Sequence, residues 1–104
     1  MNFKGSLSLL ILQILAGSAS HGYNIAQQIK QQSQGVLTFK EGTLYPTLHS
    51  LEQQGLLTSY TEEEQGRTRR YYQLTKQGQK RLKKERQEWE TFVDAVSQVL
   101  GEKI

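Results

Sequence analysis

The sequence predicts a mainly helical α+β domain, in which three short helices are followed by a β-hairpin and one long helix. Three observations carry this prediction. Apolar residues recur at three- and four-residue steps through most of the 104 residues. Residues 56–75 break that rhythm with branched and aromatic side chains set on either side of Gly66, which reads as a hairpin. The last apolar stripe, from Leu82 to Leu100, runs far beyond the point where a small domain's core would be complete. A chain of this length makes one domain with a modest core. It has no cysteine, so neither a disulfide nor a thiolate metal site reinforces that core, and a partner subunit is the remaining common route to stability. The cysteine-free composition fits a reducing, cytoplasmic location.

The first helix is expected over about Ser6–Ala16. Leu7, Leu9, Leu10, Ile11, Leu12, Ile14 and Leu15 cover nearly its whole circumference, so it should be buried on most sides. Its apolar run is about half of the roughly 20 residues needed to cross a bilayer. Only Lys4 precedes it, and no A-x-A cleavage pattern follows, so it reads as core rather than as a signal peptide. Gly17 is expected to stop it, and Ser20 to cap the next helix.

The second helix is "HGYNIAQQIKQQS", with Tyr23, Ile25, Ala26 and Ile29 on one face and Gln27, Gln28, Lys30, Gln31 and Gln32 pointing outward. Gly35 ends it, and "VLTF" is expected to be a short extended stretch.

The third helix, "GTLYPTLHSLEQQGLL", holds the chain's one proline. With Gly42 or Thr43 as cap, Pro46 falls in the first turn, where amide hydrogens lack partners anyway. With an earlier start, Pro46 would crowd the carbonyl of residue 42. On either reading the proline marks the beginning of the helix. Leu44, Leu48 and Leu51 form its buried stripe, and Thr43, Thr47, Ser50 and Gln54 are assigned to the opposite face. That face is polar yet uncharged, whereas an ordinary solvated helix would more often carry Glu and Lys.

The hairpin strands are expected at Leu56–Glu64 and Arg69–Thr75, joined by "QGRT". Tyr72 and Leu74 should share one face, and Arg69, Tyr71 and Gln73 the other. The last helix is expected over Lys76–Leu100, about 37 Å long at 1.5 Å per residue. Its first half is charged. Its second half exposes Trp89, Phe92, Val93, Val96, Val99 and Leu100, which need a cover. A second copy of the chain is the simplest one.

Charge follows the same division. Residues 1–66 carry Lys4, Lys30 and Lys40 against Glu41, Glu52, Glu62, Glu63 and Glu64, a net −2, whereas residues 67–104 carry a net +5, so the mild overall +3 hides a basic C-terminal third. Such a concentration suits either a phosphate-binding surface or a solvated helix face.

Helix, helix, helix, hairpin is the order of a winged helix-turn-helix, which places its recognition helix in the major groove of DNA and flanks the duplex with the hairpin. An uncharged polar helix face and an arginine-rich hairpin, Arg67, Arg69 and Arg70, converge on that one partner.

"HGYNIAQQI", "GTLYPTLHSLEQQGLL", "QGRTRRYYQLT" and "GQKRL" resemble, in order and spacing, the successive signature segments of PadR-type transcriptional regulators, over about residues 8–90. The resemblance implies a homodimeric, ligand-responsive repressor that binds a pseudo-palindromic double-stranded operator. Residues 1–75 would be the DNA-binding unit and residues 76–104 the dimerisation helix, the short type of the family. It implies recognition-helix roles for Thr43, Tyr45 and Pro46, a backbone-facing role for Tyr23, and wing roles for Arg67, Arg69 and Arg70. His49 on the same helix is a further DNA-facing residue. Where the family often has Ser-Pro before "GTLYP", this chain has Lys40-Glu41; Lys40 would add a phosphate contact, and Glu41 suits the positive end of a helix dipole.

The expected dimer interface is Leu82, Trp89, Phe92, Val93, Val96 and Leu100. Trp89 falls where multidrug-sensing members place a tryptophan that stacks on flat ligands, so the resemblance implies that Leu10, Ile11, Trp89 and Val93 meet a small aromatic effector if the first helix reaches the interface, core being the default role of Leu10 and Ile11. Dimer packing alone is the competing role for Trp89.

Catalysis finds little support. The chain has two histidines and one aspartate, and its glutamates 62–64 sit beside an exposed turn rather than in a shared pocket. It has no metal-ligand spacing, phosphate loop or nucleophile elbow, so neither a cofactor nor a metal is expected. The rival from another class is a winged helix that binds no DNA and docks its C-terminal stripe on a different protein.

Overall fold

The computed structural model describes residues 4–101. A short 3-10 turn, Lys4–Ser6, leads into α1 (Leu7–Gly17), followed by β1 (Ser20–His21), α2 (Gly22–Gln32), α3 (Glu41–Gln53), β2 (Leu57–Glu64), β3 (Arg67–Leu74) and α4 (Lys76–Leu100). The strands form one antiparallel sheet in the order β1-β3-β2. The architecture is thus four helices with a small antiparallel sheet, as the α+β expectation had it.

The core gathers Leu7, Ile11, Leu12 and Leu15 of α1, Ile25 and Ile29 of α2, and Leu44, Leu48 and Leu51 of α3. Leu57 and Tyr72 of the sheet close it, with Leu82 of α4 at its edge. Burial of a leucine-sized side chain contributes roughly 1.5–3 kcal/mol, so this cluster holds α3 against both the sheet and α1.

The hairpin turn is tighter than the sequence suggested, while the strands end one residue short at Leu57 and Leu74. Pairing runs without interruption from Leu57↔Leu74 to Glu64↔Arg67. Only Gln65 and Gly66 remain in the turn, with φ of 52° and 77°. Two consecutive left-handed residues make the turn whose twist matches the flanking strands, and this pulls Arg67 and Thr68 into β3.

Residues 37–39 form no regular element, and a third strand not foreseen, Ser20–His21, pairs with Tyr72 and Tyr71. It is too short to show periodicity. Two further expectations are corrected. Ser20 does not cap α2. His21 does, its Nδ1 accepting from the Asn24 amide at 3.2 Å, while Ser20 Oγ accepts from the Asn24 side chain at 2.7 Å. The cap of α3 is Lys40, through its backbone, rather than Gly42 or Thr43; the Thr43 and Leu44 amides donate to the Lys40 carbonyl. Pro46 is therefore the sixth residue of α3, beyond the first turn. Proline has no N–H to offer the Gly42 carbonyl, and Gly42 is exposed, so water can serve that carbonyl instead.

Thr75 caps α4 by accepting from the Gly78 amide at 3.0 Å, and its hydroxyl also reaches the Gly55 carbonyl at 2.8 Å. Gly101 (φ 78°) ends the helix. The second half of α4 projects from the body. The described residues span 54 × 29 × 22 Å with a radius of gyration of 15.1 Å, against about 13 Å for a compact chain of this length.

Candidate nucleic-acid interface

Three elements, α2, α3 and the hairpin, present the expected DNA-facing residues. On α3 the face opposite Leu44, Leu48 and Leu51 is centred on Gly42, Pro46, His49 and Gln53, all exposed. Ser50 and half-buried Thr43 flank them. Thr47, assigned to this face from the sequence, lies at its margin and turns its hydroxyl onto the Thr43 carbonyl at 2.9 Å. Gln54 bonds Ser50 Oγ at 3.1 Å. Gly42 and Gln53 were missed, although a helical projection about the leucine stripe would have placed them. The face carries no Asp, Glu, Lys or Arg between Glu41 and Glu52.

Tyr45 has a different position. Its ring lies over Gly22, where a Cβ would fall 2.7–2.8 Å from the phenol. Gly22 is the first residue of α2, so a missing side chain there lets the two helices of the helix-turn-helix close on the tyrosine. Tyr23, exposed, and Lys40, exposed at the start of α3, stand on either side of a cleft of about 500 Å³ that Phe39, Glu41 and Tyr45 help to line.

The hairpin arginines part company. Strand alternation places Arg67 and Arg69 on the outer face with Tyr60, Glu62, Glu64 and Tyr71, and Arg70 on the inner face with Ser59 and Tyr72. Arg69 Nη1 approaches His21 Nδ1 at 3.4 Å, and its Nε lies 3.9 Å from a Glu64 oxygen. Glu64 also accepts from the Tyr71 hydroxyl, a bond that pushes the Tyr71 pKa up to about 12. The rings of Tyr60 and Tyr71 stack at 5.6 Å, and His21 meets Tyr71 edge-on at 5.4 Å. Partial burial and then the Arg69 charge hold the His21 pKa below 6.5, against an opposing pull from Glu64. With two donors aimed at it, Nδ1 is the acceptor, which assigns the ring's proton to Nε2 in the neutral form.

On the inner face, Arg70 Nη1 donates to Ser59 Oγ at 3.0 Å, and Ser59 donates to Glu52 Oε2 at 2.6 Å. Tyr72, buried beneath, has its pKa raised chiefly by desolvation. Arg67 is exposed, and its side chain has no hydrogen bond or ion pair among the described residues.

Far from this surface, Trp89 is half-buried between α1 and α4 and lies 5.8 Å from Phe92. Leu9 and Trp89 line clefts on both sides of the indole; Leu10, Gln13, Arg86 and Glu90 complete one of them. Of the residues expected to meet an effector, Leu10 and Trp89 come together there. Ile11 does not, because it is fully buried in the core, and Val93 lines neither cleft. Leu9 takes the place given to Ile11, two residues earlier and nearly on the opposite side of the helix. Of the expected dimer residues, Leu82 is 9 % exposed and packs within the protomer's own core. Phe92, Val96, Val99 and Leu100 remain uncovered on the projecting half of α4. Among the described residues no cluster of metal-ligating side chains occurs, and no helix is long and apolar enough to cross a membrane.

A model of the transcriptional regulator PadR-like family matches residues 11–84, from α1 through the helix-turn-helix and hairpin into α4. The chain belongs to the PadR-like family. This is a family of transcriptional regulators, not of enzymes. The chain is 38 % identical over 92 residues to transcriptional regulator YqjI of Escherichia coli, covering 88 % of its own length and 43 % of that protein's. It is 36 % identical over 98 residues to transcriptional regulator Rv3488 of Mycobacterium tuberculosis, covering 94 % and 86 %. It thus spans less than half of the first relative and most of the second. Among solved PadR-like and related structures, a transcriptional regulator from Clostridium thermocellum superposes with a TM-score of 0.85 at 33 % identity, over 90 % of this chain and 89 % of that one. Bacillus subtilis PadR in complex with operator DNA superposes at 0.69 with 26 % identity, over 75 % and 45 %.

Proposed function

We propose that this PadR-like chain is a sequence-specific, ligand-responsive repressor that binds a pseudo-palindromic operator as a homodimer. Residues 1–75 would form the DNA-binding part and residues 76–104 the dimerising helix. The observation that carries the reading is the α3 face of exposed Gly42, Pro46, His49, Ser50 and Gln53 with half-buried Thr43, free of Asp, Glu, Lys and Arg, set beside an arginine-bearing hairpin. Neutral hydrogen-bonding side chains at base edges and cations at phosphates are the division of work that sequence-specific recognition needs. Lys40 and Tyr23 at the mouth of the helix-turn-helix would meet the backbone, and Tyr45 would hold α3 at its angle to α2. The operator complex of Bacillus subtilis PadR supports the choice of partner.

Dimerisation is supported by the uncovered Phe92, Val96, Val99 and Leu100. A ring between α1 and α4, next to that stripe, suits a planar effector stacking on Trp89. A ligand that favours one spacing of the two recognition helices would shift the population toward it and so change operator affinity.

Titration of a labelled duplex at rising salt tests the assignment. Affinity should fall steeply with ionic strength as cations displace phosphate counterions. Absence of binding at low salt would turn the reading to the protein-docking alternative.

A further inference from the structure

Resting on the DNA-binding reading above, we propose that the three wing arginines divide their work: Arg67 is the phosphate-binding cation, while Arg69 and Arg70 are positioning residues that fasten opposite faces of the hairpin to α2 and α3.

The hairpin outruns its apolar support. Beyond the stacked Tyr60–Tyr71 rung, the last four rungs carry polar side chains on both faces. An isolated two-stranded ribbon is marginal in water, so its angle to the recognition helix must be fixed from the side. Arg69 does this on the outer face. It is partly buried and shared between the Glu64 carboxylate and His21 Nδ1, and His21 is the cap of α2. Glu64 lies close enough to offset its charge, and a phosphate could claim that guanidinium only by taking it from both partners. Arg70 does it on the inner face, through Ser59 Oγ to Glu52 of α3. The donor sequence is consistent: the guanidinium donates to the Ser59 hydroxyl, which in turn donates its one proton to the Glu52 carboxylate. Glu52 and Tyr45 share the edge of α3 that faces the sheet, and both act on Tyr72 beneath Arg70. Arg67, by contrast, pairs with Glu64 across the last rung before the turn, is exposed, and has no side-chain partner among the described residues. Its guanidinium can meet a phosphate without giving up any contact.

The test uses the purified full chain, a labelled random-sequence duplex, and the variants Arg67→Ala, Arg69→Ala, Arg70→Ala, Ser59→Ala and Ser59→Ala/Arg70→Ala. The slope of log affinity against log salt should fall by about 0.9 per protomer in Arg67→Ala, the loss of one phosphate contact. Arg69→Ala and Arg70→Ala should keep the parent slope and bind about two- to tenfold more weakly, the range of one lost hydrogen bond. Ser59→Ala should match Arg70→Ala, and the double variant should lose no more than either. In free protein, amide exchange over residues 59–70 should quicken in Arg69→Ala, Arg70→Ala and Ser59→Ala but not in Arg67→Ala. A slope drop of about 0.9 in Arg69→Ala or Arg70→Ala, or unchanged exchange in those two, overturns the proposal. If the parent chain binds no duplex, the DNA reading fails, and the exchange arm alone decides whether the arginines fasten the hairpin.

Discussion

Gly78 is where the α4 helix meets the hairpin, and replacing it with alanine should be among the most damaging single-methyl changes in the chain. A Cβ there would lie 2.2 Å from the Leu56 carbonyl oxygen and 2.7 Å from Leu74 Cδ1, where real Cβ atoms essentially never come within 3.0 Å of a neighbour. The carbonyl cannot step aside freely. Leu56 O accepts from the Thr75 amide at 3.1 Å and from the Thr75 hydroxyl at 3.1 Å, and the same hydroxyl caps α4 through Gly78 itself. Relief therefore requires α4 to lift off the hairpin or the cap to open. Overpacking of this kind costs about 3 kcal/mol at its upper range. Alanine returns up to about 1 kcal/mol of intrinsic helix preference, leaving a net loss of about 2 kcal/mol. For a domain of this size that is a fall in Tm of about 8–16 °C. Differential scanning calorimetry of Gly78→Ala beside Gly17→Ala supplies the control, because Gly17 is helical and a Cβ there meets nothing within 4 Å. Gly17→Ala should leave Tm unchanged or slightly raised. A Gly78→Ala protein that melts within about 3 °C of the parent, less than 1 kcal/mol on the same scale, would refute the steric argument.

Other outcomes follow from the same geometry. The His21 pKa is lowered by folding, so the unfolded chain takes up the proton first. The contribution of this cap is complete above the ordinary value of 6.5 and is lost as pH falls from there through the depressed folded value. A pH series of melting curves should show that loss, and His21→Asn, a cap that does not titrate, should remove His21's share of it; an unchanged curve would count against the cap. Replacing Phe92 and Val96 with glutamate should convert a dimer to a monomer in sedimentation equilibrium, since desolvating each unpaired carboxylate would cost several kcal/mol; a dimer that persists would place the interface elsewhere. Planar aromatic compounds should quench Trp89 fluorescence, and the quenching should weaken when Leu9 or Leu10 is cut to alanine but not when Val93 is.

The parts of this fold that were legible in the sequence are those fixed by periodic burial. The leucine stripe of α3, the apolar α1 and the span of α4 were readable because each repeats its signal over several turns. The hairpin was readable from Gly66 and the aromatic run. What was not readable had either too few residues or a nonlocal cause. The two residues of β1 have no period, and their pairing depends on Tyr71 and Tyr72, some fifty positions on. His21 outcompeted Ser20 as a cap because that pairing holds the chain extended at position 21, aiming its ring at the Asn24 amide. The early start of α3 was hidden because Lys40 caps with its backbone, which leaves no side-chain signature. Leu82 was assigned to the dimer stripe on type and spacing, yet burial within one protomer claimed it; Ile11 kept the core place its apolar helix gave it, and only the effector role implied by the resemblance falls away. The three arginines read as one basic cluster in the sequence, and only strand alternation separates their faces.

The central claim, that two recognition helices read two half-sites together, is tested most directly by selecting bound duplexes from a random pool with the purified full chain. The account predicts an enriched motif with two inverted half-sites whose centres lie about 10 base pairs apart, one helical turn. Enrichment of a lone half-site, or of no sequence at all above the starting pool, would contradict it.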